Sequence, residues 1–265
     1  MPATKLAAHA VEKPWGRTTI LDAFKSLETR QPVGEIWFDQ NDDSDLLVKY
    51  LFTSEKLSVQ VHPDDAAARA AGYPRGKDEA WLILDAAPDS TIALGPKRPM
   101  SADDLRQSAA DGSIVGSLDW VSVQAGDFIY SPAGTIHAIG GGLTLIEIQQ
   151  NLDLTYRLFD YGRPRELHLE EGAAVSTLTP FVAPAAPLDK SLLAQGPKFV
   201  VERLEAGDRR LQAAPSALLI PICGSGQIDG LDFFPGECWA IAGETLIGVP
   251  GGSTALLTYP GSTRL

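Results

Sequence analysis

Cysteine is scarce in this chain of 265 residues: Cys223 and Cys238 are the two it has, near the C-terminus on separate predicted strands. There is no CxxC pair and no disulfide framework, which fits a reducing compartment. Positive charge is also in short supply. Lys and Arg number 22 against 34 Asp and Glu, a formal net charge of −12, and the isoelectric point is near 4.7. The mean field of such a chain repels phosphate, so neither nucleic acid nor an anionic membrane surface is an expected partner. A phosphorylated ligand would need a local basic pocket. The N-terminus lacks a long apolar run: Lys5 is its one basic start, and the short apolar stretch around it is broken by His9 and Glu12. Neither a signal peptide nor a membrane-spanning helix is expected, and the chain reads as cytoplasmic. Histidine is sparse too, four residues in all.

Apolar residues make up 44% and charged residues 21%, the values of a folded globular protein without a disorder signature. The length admits one or two domains. The stretch that organises the rest is Leu57-Ser58-Val59-Gln60-Val61-His62-Pro63-Asp64, followed by Gly76-Lys77-Asp78-Glu79-Ala80-Trp81. Side chains alternate along a strand, so Ser58, Gln60 and His62 share one face while Leu57, Val59 and Val61 share the other. Residues 79–84 read as a second apolar strand opened by a carboxylate, with Lys77 on the same side as Glu79. If the two strands are neighbours, Gln60, His62 and Glu79 converge. A second imidazole is offered by His137, at the end of a segment that runs from Gly126 and turns through Pro132 and Gly134. Two imidazoles, a carboxylate and an amide oxygen suit a borderline divalent ion. An isolated strand histidine is ordinarily a satisfied structural residue, and the residues alone leave both readings open.

Three segments carry a resemblance: residues 57–64, residues 76–81, and Pro132-Ala133-Gly134-Thr135-Ile136-His137-Ala138-Ile139-Gly140. In this order they resemble the signatures of type I mannose-6-phosphate isomerases, zinc enzymes of the cupin superfamily, in their short bacterial form. The similarity runs from about Pro14 to about Glu171. It implies one zinc ion per chain, held by Gln60, His62, Glu79 and His137, and a small-molecule sugar phosphate as substrate for a monomer or homodimer. It also implies substrate-binding roles for Lys49, Ser58, Lys77, Asp153 and Arg163, and catalytic roles for Arg157, Lys77 and Glu147. Arg163 stands where the longer enzymes resemble one another in using Lys, which keeps the charge and changes the geometry.

The residues around these positions have their own logic. Lys13-Pro14-Trp15-Gly16-Arg17 reads as a turn into a short strand, and residues 34–38 as a strand that places Glu35 and Trp37 on one face. Residues 46–52 form an almost unbroken apolar strand with a single Lys49, and such a charge must snorkel out or face a polar cavity. Residues 64–72 predict a short helix. Ser101 with Asp104 is an approximate capping box that opens a helical insertion near residues 99–117, either a cover for the pocket mouth or a surface excursion. Along residues 143–151, Glu147 shares a face with Leu143, Leu145, Gln149 and Asn151. Asp153 could anchor Arg157 or cap a turn. His168, within Arg165-Glu166-Leu167-His168, is read as structural. Lys49, Lys77, Arg157 and Arg163 together would supply the basic pocket that an acidic protein needs.

Residues 180–197, rich in Pro and Ala, read as a linker between a metal-binding catalytic domain at 1–179 and a smaller β domain at 198–265. The latter has short apolar runs at 199–204, 217–223, 238–242 and 255–259 and no His, hence no second metal of this kind. The fold class expected is all-β: with the resemblance, two cupin-type jelly-roll barrels with short helical insertions. The chemistry implied is an aldose–ketose isomerisation through an enediol, for which a base, oxyanion stabilisation and proton shuttling are needed. Two alternatives keep the pocket: a non-haem iron oxygenase built on two His and a carboxylate, and a sugar-phosphate sensor without turnover.

Overall fold

The structure, a computed structural model, describes residues 3–41, 43–185, 187–212 and 216–264. Its N-terminal part holds the strands β1 (Ala3–Lys5), β2 (Ala8–Arg17), β3 (Val33–Phe38), β4 (Leu46–Phe52), β5 (Val59–Val61) and β6 (Glu79–Ala86). They are followed by β7 (Thr91–Pro96), β8 (Leu118–Ser122), β9 (Phe128–Ser131), β10 (His137–Ile139), β11 (Leu143–Gln150) and β12 (Tyr156–Phe159). All but β1 lie in two antiparallel sheets, ordered β2-β3-β4-β11-β6-β9 and β12-β5-β10-β7-β8. The sheets close on each other through Leu51, Trp81, Ile83 and Leu145 from the first and Ile92, Leu94 and Ile139 from the second. This is the face-to-face β architecture expected of a jelly-roll barrel.

The strands β5 and β6, expected as possible neighbours, belong to opposite sheets. Their polar residues therefore meet across the barrel interior, where side chains from facing sheets interdigitate, rather than along one ladder. Residues 13–17, expected as a turn, continue β2, whose pairing to β3 is irregular between Glu12 and Arg17. That irregularity absorbs Pro14, which cannot donate to a ladder.

The C-terminal part comprises β13 (Leu192–Gln195), β14 (Phe199–Leu204), β15 (Gly207–Leu211), β16 (Ala217–Cys223), β17 (Gly226–Ile228), β18 (Leu231–Phe233), β19 (Trp239–Ile241), β20 (Thr245–Val249) and β21 (Thr254–Pro260). It forms two sheets, β1-β19-β16-β21-β14-β13 and β15-β20-β17-β18, around a core that includes Leu219, Phe233, Ile247 and Leu257. Two details depart from expectation. The strand β1 pairs with β19, so the N-terminus is part of the C-terminal sheet. The strand β13 lies inside the stretch read as linker.

Every residue of β4 and of β11 is buried. The outer face of their sheet, with Val48, Tyr50, Phe52, Ile146 and Ile148, packs against Phe199, Val201, Leu218, Ile220 and Leu256 of the C-terminal part. A strand covered on both faces reads as a continuous apolar run, which is what residues 46–52 display. The helices are α1 (Asp65–Ala70), α2 (Ala102–Asp111), α3 (Ile114–Ser117) and α4 (Leu169–Val175). Of these, α2 to α4 contribute Leu105, Ala109, Ile114 and Ala173 to a core with Val59, Val61, Ala138 and Leu158. The capping box at Ser101 and Asp104 is present, with Ser101 Oγ accepting from Asp104 N. No helix among the described residues is long and apolar enough to cross a membrane.

Candidate functional site

Three side chains on different elements converge inside the first barrel: His62 just after β5, Glu79 at the start of β6 and His137 at the start of β10. One ligand atom from each lies within 4.8 Å of the others. Each is at most 2% exposed. The tautomers follow from their partners. His62 Nδ1 is 2.9 Å from the Leu154 carbonyl and His137 Nδ1 is 3.0 Å from the Thr135 carbonyl. A carbonyl can only accept, so both Nδ1 atoms carry the hydrogen, and in the neutral tautomer that leaves each Nε2 to present a lone pair. Those lone pairs face Glu79 Oε1, at 3.4 Å from His62 and 3.0 Å from His137.

The charge states agree. Burial, then the neighbouring Lys77 ammonium, pushes the His62 imidazole down to about 4, so it is neutral near pH 7. Burial alone would raise the Glu79 carboxyl, but the Lys77 ammonium above all holds it well below the usual carboxylate range. Glu79 Oε1 is buried without a hydrogen-bond partner among the described residues. Two lone pairs and an orphaned anionic oxygen pointed at one another repel unless a cation lies among them, and the set fits a divalent metal. Lys77 Nζ supplies part of that charge, 2.8 Å from Glu79 Oε2 and 3.0 Å from His62 Nε2.

Gln60, on β5 opposite His137, has its amide nitrogen 3.1 Å from His137 Nε2 and its oxygen 3.1 Å from Ser58 Oγ. A half-turn of the amide would direct the oxygen to the cluster instead. The amide opens onto a cavity of about 340 Å3, a size typical of small-molecule sites. Lys13, Lys49, Lys77, Arg157 and Arg165 line it against Glu35, Glu147 and Asp153, with Ser58 between. An acidic protein thus has a pocket whose lining carries an excess of positive side chains.

Lys49 faces this cavity from the apolar strand β4, 3.5 Å from Glu147 and 4.0 Å from the centroid of the Trp37 ring. Glu147, directly across from it on β11, also accepts from Trp81 Nε1 at 3.0 Å. Glu35 sits at the far wall, bonded to Trp37 Nε1 at 2.5 Å with Lys13 at 3.4 Å. Burial raises the Glu35 carboxyl, but Lys49 and Lys13 outweigh that and leave it lowered.

Arg163 is not brought to the cavity. It donates to Asp160, Glu55 and the Lys56 carbonyl at 2.8–3.1 Å. Tyr161 and Gly162, in the left-handed region at φ 55° and 80°, turn the chain before it. Arg165 takes the place at the wall, fixed by two hydrogen bonds from Nε and Nη2 to Asp160 at 2.6 and 2.7 Å. His168 lines the cavity too and accepts from the Arg157 backbone N–H at 3.2 Å. Arg157 Nη1 donates to the Glu166 carbonyl at 2.9 Å, while its Nε is buried without a hydrogen-bond partner among the described residues. Arg165 and His168 were missed as site residues; their signal was the excess of charged and imidazole side chains directly after Arg157.

A mannose-6-phosphate isomerase from Streptococcus mutans is 36% identical over 197 residues, 69% of this chain and 62% of the relative. The crystal structure of the Bacillus subtilis mannose 6-phosphate isomerase superposes with a TM-score of 0.82 at 26% identity, covering 97% of this chain and 99% of that one. The chain belongs to the mannose-6-phosphate isomerase family. It aligns with less than two thirds of the length of the Streptococcus mutans relative. A zinc-bound mannose 6-phosphate isomerase shares the fold at a TM-score of 0.70 and 16% identity. No family model matches the chain. Within the family fold, the buried His62, Glu79 and His137 cluster is the candidate metal site.

Proposed function

We propose that the protein is a zinc-dependent isomerase that interconverts D-mannose 6-phosphate and D-fructose 6-phosphate through an enediol. The observation that carries this reading is the triad of His62, Glu79 and His137, with lone pairs and an orphaned carboxylate oxygen converging, beside a cavity with an excess of positive side chains. The zinc-bound relative supports zinc as the ion. Gln60, with its amide turned over, would be the fourth protein ligand. When bound, the metal would polarise the sugar oxygens at C1 and C2.

The chain's own residues supply the rest. Glu147, held between Trp81 Nε1 and Lys49, is placed to take the C2 proton and return it at C1. Lys77 reaches the cavity from the same wall as Glu79 and serves proton transfer between O1 and O2. Arg157 stabilises the oxyanion that develops, its Nε without a hydrogen-bond partner among the described residues. Lys49, Ser58 and Asp153 contact the sugar, and Arg165 beside Arg157 offers the phosphate a cationic end in place of Arg163. The cysteines, unpaired at Cys223 and Cys238, suit a cytoplasmic enzyme. No specific observation favours the oxygenase or the sensor.

The test is a coupled assay of fructose 6-phosphate formation on the protein as purified, after chelation and after zinc readdition. We expect chelation to abolish activity and zinc to restore it. A zinc-loaded protein that binds mannose 6-phosphate and does not turn it over would reject the enzyme reading.

A further inference from the structure

The polar contacts behind the triad lead out of the first barrel. Asp65 opens α1, three residues after His62. Its Oδ1 accepts from the Gly76 backbone N–H at 2.8 Å and from Gln150 Nε2 at 3.1 Å, and its Oδ2 accepts from Lys198 Nζ at 2.7 Å. Gln150 in turn holds the residue before Glu79: Asp78 N donates to its Oε1 and its own N donates to the Asp78 carbonyl, both at 3.0 Å. The Asp78 carboxylate accepts from Tyr130 Oη at 2.6 Å and from Ala133 N at 3.1 Å. Asp65 and Asp78 therefore bracket residues 76–79, the segment that carries Lys77 and Glu79, and tie it to the loop that carries His62.

The C-terminal part touches both brackets at one place. Lys198 reaches Asp65, and the Phe199 ring lies 5.2 Å from the Tyr130 ring. Gly196 passes so close that a Cβ there would run into the Tyr130 hydroxyl, so a larger residue would have to push that ring aside. We propose that residues 196–199 are a clamp through which the C-terminal sheet sets the separation of His62 and Glu79, with Lys198 and Asp65 as positioning residues for the metal ligands. This rests on reading His62, Glu79 and His137 as metal ligands. It assigns the histidine-free C-terminal part a role in the chemistry of the N-terminal one. Its physical basis is that a metal's affinity depends on how firmly the groups around its ligands fix them.

Zinc affinity, read by competition against a chromogenic chelator, tests the clamp without recourse to turnover. We expect Lys198→Met to weaken zinc binding about tenfold, the lower end of the effect of losing an outer partner. Lys198→Arg, which retains a cation for Asp65, should stay near wild type. Arg264→Met cuts the pairs to Glu202 and Asp189 within the C-terminal part and does not touch the clamp. It should lower the unfolding midpoint and leave zinc affinity near wild type. If Lys198→Met does not fold, Asp65→Asn carries the same expectation. Wild-type affinity in Lys198→Met, or an equal loss in Arg264→Met, would overturn the clamp while leaving the metal site intact. A wild-type protein that binds no zinc would instead reject the metal reading beneath it.

Discussion

At the scale of single residues, the arginines after β12 separate a positional argument from a geometric one. Arg163 is engaged by Asp160, Glu55 and a backbone carbonyl, whereas Arg165 stands at the cavity wall. A charge-assisted hydrogen bond contributes about 1.5–3 kcal/mol, so Arg165→Met is expected to raise KM for mannose 6-phosphate roughly tenfold or more. Arg163→Met should leave KM within about twofold. Steady-state kinetics on the two variants checks the assignment, and the reverse ranking would return the phosphate to Arg163. Alternation put Gln60 and His62 on one strand face and offered Glu79 and His137 as partners, and it was the resemblance that joined them into one set. The arginine was not legible in the sequence, because alternation has no authority across a turn with two left-handed residues, Tyr161 and Gly162.

Among the elements, β11 carries the most constraint. Its inward face presents Glu147 to the cavity while Ile146 and Ile148 pack into the core shared with the C-terminal sheet. Ile148 is 1% exposed, so Ile148→Ala should cost about 2–5 kcal/mol. Urea unfolding would read this as a lowered midpoint, with zinc affinity retained if the cost is packing alone. The strands β4 and β11 were legible from their apolar runs, and α2 from its cap. Helix α4 was not: it spans seven residues after His168, which makes no side-chain cap, so neither periodicity nor a start signal announces it. The convergence of β5 and β6 from opposite sheets was likewise hidden, because alternation tells which residues share a face and not which sheet that face confronts.

For the whole molecule, the pair of Asp65 and Lys198 predicts how acid acts on the joint between its two parts. Burial would raise the Asp65 carboxyl, but Lys198, the Gly76 N–H and Gln150 together pull it down to about 2 from an ordinary 3.8. A carboxyl depressed in the folded state adds stability that is complete above its unfolded value and is lost as pH falls toward its folded one. The stability difference between metal-free wild type and Lys198→Met should therefore be constant from neutral pH to about 5 and shrink between about 4 and 2. Urea midpoints measured across that range check it; a difference that grows on acidification would contradict the pairing. The C-terminal sheet was legible as strands and turns. Its companion β1 was not, since a three-residue strand carries no signal for a partner at the other end of the chain.

That pairing also orders events in time. Ala3–Lys5 leaves the ribosome before the strands of the first barrel, and Trp239–Ile241, its ladder partner, only after them. The nascent chain can assemble the barrel around His62, Glu79 and His137 first, but β1 must wait for its ladder partner until β19 has been made.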